Sequence, residues 1–175
     1  MEGKAYIEQF IRDVPDFPKP GIIFKDITPL LQDARGLKIA VDLMGAPFEG
    51  GGVDVVLGIE SRGYLFAAPL AYKLGAGLVL VRKPGKLPYR KRSATYDLEY
   101  GTDTIEIHED AIGPGQKVLL ADDLIATGGT ASAALELVEK AGGSVVAFTF
   151  LVELAFLPGR EKLAPHPVHS VLRFE

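Results

Sequence analysis

The chain has 175 residues, 47% of them hydrophobic and 24% charged, with a formal net charge of −4 and no cysteine. This suits one globular domain and excludes a disordered chain, a disulfide framework and a thiolate metal site; nothing points to an oxidising compartment, so a cytoplasmic location is expected. The negative balance argues against nucleic acid, so any bound anion must meet a local cluster of donors.

The start, Met1 to Ala5, lacks a basic segment followed by an apolar run, and no apolar stretch reaches the ~18 residues that cross a bilayer. No membrane partner is expected. Ile7, Phe10, Ile11 and Val14 share one helical face, which predicts a short helix within residues 4–14, broken by the segment from Pro15 to Gly21. Asp33 is placed to cap a second helix carrying Leu37, Val41 and Met44, ending before Gly50, Gly51 and Gly52.

An apolar run at Val53–Leu57, a helical stretch at Tyr64–Leu74 and a run at Leu78–Val81 then form a βαβ rhythm. Residues 94–100 and 103–107 predict a hairpin turning at Gly101, because Ala94, Tyr96, Leu98 and Tyr100 alternate with polar residues. A strand at Val118–Ala121, a helix at Thr130–Ala141 and a strand at Val145–Val152 make a second βαβ unit. The alternation predicts an α/β fold, a mostly parallel central sheet flanked by helices, with ligands beyond the carboxyl ends of its strands.

From the first strand of that second unit into its helix runs Val118-Leu119-Leu120-Ala121-Asp122-Asp123-Leu124-Ile125-Ala126-Thr127-Gly128-Gly129-Thr130. Gly128 and Gly129 allow a tight turn in which backbone N–H groups and the hydroxyls of Thr127 and Thr130 face one anion, helped by the positive end of the helix. No Gly-Lys-Ser/Thr tripeptide occurs, which argues against a nucleoside-triphosphate loop and for a sugar phosphate. Asp122 and Asp123 are acceptors suited to two neighbouring ribose hydroxyls. For an isolated Thr-Gly-Gly-Thr, the alternative is a plain turn capped by its acids.

The whole segment resembles the phosphoribosyl diphosphate motif of the type I phosphoribosyltransferases. That resemblance implies one domain over 1–175, with a small hood over about 1–33 and a core over about 34–175. It assigns Asp122 and Asp123 to the ribose hydroxyls, and Ala126, Thr127, Gly128, Gly129 and Thr130 to the 5-phosphate. Phe17-Pro18-Lys19-Pro20-Gly21-Ile22-Ile23-Phe24-Lys25-Asp26-Ile27-Thr28-Pro29-Leu30-Leu31 is similar to the hood of the adenine-using branch, as are Ser61–Phe66, Val81–Pro88 and Tyr96–Gly101 to that branch's other motifs. By this likeness adenine stacks on Phe24, with Leu124 on its other face, while the Ile23 carbonyl and the Lys25 amide read its polar edge. Without the likeness, Phe24 is an ordinary core aromatic. The branch often has arginine at the position of Lys25, so only a backbone role is carried over.

Gly58-Ile59-Glu60-Ser61-Arg62-Gly63 resembles the family's pyrophosphate loop, often with a cis peptide, here falling between Glu60 and Ser61. The likeness gives Ser61 and Arg62 to the leaving group, joined by Arg82, Lys83 and Lys86, residues that in the family reach towards a partner's active site. A homodimer is implied. Read without the family, Lys83 to Arg92 is a solvated loop or a nucleic-acid patch. The sugar diphosphate is expected to bring Mg²⁺ on its phosphates and water, with no protein ligands for the metal. His108, His166 and His169 lack zinc spacing.

By the same likeness Glu99 is the expected base that removes the N7 proton of adenine while N9 attacks, as the family's matching glutamate does; without it, Glu99 is an exposed strand acid. Tyr100 is expected to help a flexible β-hairpin lid, Lys83 to Tyr100, close over the substrates. The expected activity is a pentosyl transfer to adenine; competing readings are an oxopurine (hypoxanthine, guanine or xanthine) as the base, or a non-catalytic sensor of phosphoribosyl diphosphate.

Overall fold

The computed structural model describes residues 2–97 and 101–175. The chain packs as two compact units, Met1–Leu43 and Met44–Glu175. In the first, helix α1 (Glu2–Glu8) is followed by an antiparallel pair, β1 (Arg12–Pro15) and β2 (Ile23–Asp26), then α2 (Thr28–Gln32) and α3 (Ala34–Gly45), whose last two residues belong to the second unit.

The helix expected within 4–14 therefore stops at Glu8, and Val14 lies in a strand. Pro15 biases the preceding residue towards extended backbone, and β1 finds ladder partners in β2, with Val14 opposite Phe24. The Arg12 guanidinium, 2.6 Å from Asp26 Oδ2, adds a cross-strand ion pair. At α3 the expected cap forms: the Gly36 amide donates to Asp33 Oδ1 at 2.6 Å.

The second unit holds a five-stranded sheet of β3 (Val55–Ile59), β4 (Gly77–Val81), β7 (Lys117–Ile125), β8 (Ser144–Leu154) and β9 (Val168–Phe174), in the order β4-β3-β7-β8-β9. All four ladders are parallel. Between β4 and β7 lies an antiparallel hairpin, β5 (Lys91–Asp97) with β6 (Thr102–His108), and Gly101 at its turn has a φ of 88°.

Helices α4 (Gly63–Leu74) and α5 (Gly129–Lys140) cover opposite faces of the sheet. Strand residues alternate in direction, so Val55, Leu57 and Ile59 join Ala134, Leu137 and Val138 of α5 in one apolar cluster. Gly58 points the other way; a Cβ there would lie 2.6 Å from Ala67 of α4. The α/β architecture expected from sequence is the one observed. β9 was not foreseen, nor was the short α6 (Gly159–Lys162) before it.

Candidate active site

The carboxyl ends of β3, β4 and β7 open on one cleft of about 330 Å³ within the second unit. Its floor is the end of β7. Asp122 and Asp123 lie there side by side, the Asp123 amide donating to Asp122 Oδ1 at 2.9 Å, and Asp123 is only 5% exposed. Burial pushes both carboxyls above their ordinary range; the charge of Asp123 adds to the rise at Asp122, while Arg62 opposes it at Asp123.

Arg62 Nε stands 2.9 Å from Asp123 Oδ2, an ion pair outside hydrogen-bond geometry, and among the described residues this buried oxygen accepts no hydrogen bond. The first turn of α4 can come this close because residue 63 is glycine: a Cβ there would meet Asp122 Oδ1 at 2.7 Å.

After β7 the backbone turns through Ala126, Thr127 and Gly128 into α5. Gly128 takes a φ of 76°, which favours glycine, and a Cβ on it would meet the Gly159 carbonyl oxygen at 2.6 Å. Among the described residues no side chain caps α5, so the first amides of the helix face the loop, where an anion can meet them. Thr130 lines the cleft with Leu124.

The opposite wall is the loop after β3, with Glu60, Ser61 and Arg62. The Glu60–Ser61 peptide is cis. Lys83, just past β4, reaches the cleft, where its ammonium pairs with Asp103 and lies 3.4 Å from the Tyr96 hydroxyl. Glu60 accepts the Lys83 amide at 2.9 Å and pairs with Arg82 and Lys86. Burial opposes its ionisation, but hydrogen bonds from Lys86, the Lys83 amide and Arg82 hold its carboxyl down at about 2.

The cleft thus brings together Ser61, Arg62, Lys83, Asp122, Asp123, Leu124 and Thr130 from the sequence-derived set. Arg82 and Lys86 are drawn to Glu60 rather than to its lining. Ile23, Phe24 and Lys25 are on β2 in the first unit, where the Phe24 ring meets Phe17 edge-on at 5.2 Å and the Lys25 ammonium donates to Asp13 at 2.6 Å. Glu99 and Tyr100 lie outside the described residues. Three lining residues have no role in the sequence reading: Ile59, the last residue of β3, Glu60, whose place beside Ser61 and Arg62 is the available signal, and Tyr96, whose ring packs on Gly129.

Residues 27–166 match the family model described as the phosphoribosyl transferase domain. The chain belongs to the phosphoribosyltransferase family. Its relatives include the adenine phosphoribosyltransferase of Trichlorobacter lovleyi, 57% identical over 94% of this chain and 96% of the relative. That of Butyrivibrio fibrisolvens is 60% identical over 90% of this chain and 87% of its own. The crystal structure of adenine phosphoribosyltransferase from Thermoanaerobacter pseudethanolicus superposes with a TM-score of 0.95 at 51% identity, covering 98% of this chain and 99% of the other. The Saccharomyces cerevisiae enzyme, complexed with an imino-altritol bisphosphate and adenine, gives 0.93 at 40% identity, with 98% and 99% covered.

Among the described residues of this phosphoribosyltransferase, no group of three or more His, Asp or Glu side chains is placed to hold a metal, and no helix is long and apolar enough to cross a membrane.

Proposed function

We propose that this phosphoribosyltransferase converts adenine and 5-phosphoribosyl 1-diphosphate to AMP and pyrophosphate, a step of purine salvage. The observation that carries the reading is the β7–α5 junction, where an acid pair, a glycine turn and an uncapped helix meet one cleft. Near full-length similarity to enzymes named for adenine supports the choice of base.

In this reading Asp122 and Asp123 accept the ribose hydroxyls, and the loop from Ala126 to Thr130 takes the 5-phosphate through amides and hydroxyls. Arg62 and Ser61, with Lys83, Arg82 and Lys86, receive the departing pyrophosphate, the first two directly from the loop after β3. The Ile23 carbonyl accepts from the amino group of adenine, the Lys25 amide donates to the ring, and Phe24 stacks. An oxopurine would set its own acceptor against that carbonyl. Leu124 supplies apolar surface.

The donor set fits Mg²⁺ carried on substrate phosphates and water: one buried carboxylate pair offers too few ligands for a protein cage, yet can hydrogen-bond the ion's waters. The ion would neutralise charge on the leaving group. Glu99 takes the N7 proton as N9 attacks an oxocarbenium-like anomeric carbon, and Tyr100 helps the hairpin exclude water. The working protein is a cytoplasmic homodimer with its basic loop near the partner's site, and it needs no nucleic acid.

The test offers the purified protein phosphoribosyl diphosphate, Mg²⁺ and one purine at a time, with nucleotide formation followed by chromatography. Adenine is expected to give AMP. Turnover with an oxopurine alone would reassign the base, and no turnover with any purine would favour a sensor. Glu99→Leu is expected to lower kcat far more than it weakens binding of the sugar diphosphate; equal losses would remove the proton-transfer role.

A further inference from the structure

Behind the candidate phosphate loop the chain makes a backbone-on-backbone contact that no side chain could enter. A Cβ on Gly159 would lie 2.2 Å from the Ala126 carbonyl oxygen, and one on Gly128 would lie 2.6 Å from the carbonyl oxygen of Gly159. The loop is therefore backed by the first residue of α6. That helix spans only Gly159–Lys162, too short to hold its own position, and among the described residues no side chain caps it.

Its position comes from the next residue. The Arg160 guanidinium donates from Nε to Glu153 Oε1 at 2.8 Å and from Nη2 to Glu153 Oε2 at 2.6 Å, a bidentate pair. Nη1 donates to the Val168 carbonyl at 2.8 Å, and Nη2 lies 3.4 Å from the Ser170 hydroxyl. Glu153 is 3% exposed, sits on β8 opposite Ile125 at the very end of β7, and has Arg173 of β9 at 3.6 Å. A rigid path thus runs from the sheet through Glu153 and Arg160 to Gly159, and from there to Ala126 and Gly128.

We infer that Arg160, seated on Glu153, is a positioning residue that holds the 126–128 turn in the geometry that receives the 5-phosphate. This rests on the functional reading above. Lysine cannot replace it, because one ammonium cannot satisfy both carboxylate oxygens and the Val168 carbonyl in that planar arrangement. A loop that recognises phosphate mainly through backbone amides has few side chains of its own to set its shape, so support from behind decides whether its amides converge.

The test uses Arg160→Lys, Glu153→Gln and Gly159→Ala in the full chain, the last perturbing the same contact without changing charge. Ribose 5-phosphate and, separately, pyrophosphate are titrated calorimetrically into each folded protein, which separates affinity from the fraction folded. KM values for phosphoribosyl diphosphate and adenine are measured in parallel. Expected is a loss of about tenfold in ribose 5-phosphate affinity, with a matching rise in KM for phosphoribosyl diphosphate. Pyrophosphate affinity and KM for adenine should stay within about twofold. If the variants lower melting temperature but keep wild-type ribose 5-phosphate affinity, or lose both ligands equally, the positioning role is overturned. Wild-type protein that binds no ribose 5-phosphate and turns over no phosphoribosyl diphosphate would instead overturn the functional reading, and this inference with it.

Discussion

At the scale of single residues, the acid pair shows a conflict between stability and use. Asp122 and Asp123 share a buried corner: burial pushes both carboxyls up, the charge of Asp123 raises Asp122 further, and Arg62 opposes the rise at Asp123. A carboxyl with a raised folded value destabilises the protein as pH rises through that value, because its ionisation is easier in the unfolded chain. Asp122→Asn should therefore raise the melting temperature by about 2–4 °C at pH 8 and by less at pH 5, read by calorimetry at both pH values. The same change should lower kcat/KM for phosphoribosyl diphosphate by about 10- to 100-fold, as loss of a charged hydrogen-bond acceptor does. A variant that is neither more stable nor less active would show that the pair is not a strained binding group.

These acids were legible in the sequence because strand, acids, glycines and helix follow one another without interruption. Glu60 and Tyr96 were not, since their surroundings come from residues far along the chain: Glu60 from Arg82, Lys83 and Lys86, Tyr96 from Lys83, Asp103 and Gly129. No local pattern announces such a partner.

At the scale of elements, the segment between β4 and β5 is fastened by two carboxylates. Glu60 takes the Lys83 amide and the charges of Arg82 and Lys86; Glu106, 5% exposed on β6, accepts from the Gly85 amide at 3.1 Å and from Lys91 at 2.7 Å. Glu60 also faces the cleft that is proposed to hold pyrophosphate, so it competes with that anion for the same cations. Glu60→Gln should tighten pyrophosphate binding by about tenfold, seen as a lower product-inhibition constant, and slow turnover where release limits it. Unchanged inhibition would mean that Arg82 and Lys86 never leave Glu60 for the product.

Most elements were visible as periodicity, and the exceptions have physical causes. Apolar spacing in 4–14 predicts a longer helix than the one that forms, because β1 pairs with β2, a non-local choice that spacing does not carry. β9 escaped notice because its burial is uneven, with Val171 and Leu172 buried and neighbouring residues partly exposed, as at a sheet edge. It matters to the site nonetheless, since Val168 and Ser170 on it help to seat Arg160.

For the whole molecule, these ionic contacts set the acid limit. Alternating strands and helices made the α/β sheet readable from sequence, but its pH response depends on carboxylates whose partners only folding supplies. Hydrogen bonds from Arg160 hold the Glu153 carboxyl down at about 2, against burial, and Glu60 is held at about 2 by its own partners against the larger effect of burial. A folded value depressed below the unfolded one contributes stability that is present above about pH 4.5 and lost as pH falls towards about 2. Each can contribute roughly 2–3 kcal/mol, less where solvent screens an exposed partner such as Arg160. Urea unfolding at a series of pH values should show stability holding down to about pH 5 and then falling steeply below about 4.5. Because Glu153→Gln cannot gain a proton, its stability should be lower at pH 7 and should fall less on acidification, so that the two curves converge near pH 2. If the two proteins instead lose stability in parallel from pH 7 to pH 2, the ionised Glu153–Arg160 pair is not what anchors the carboxyl edge of this sheet.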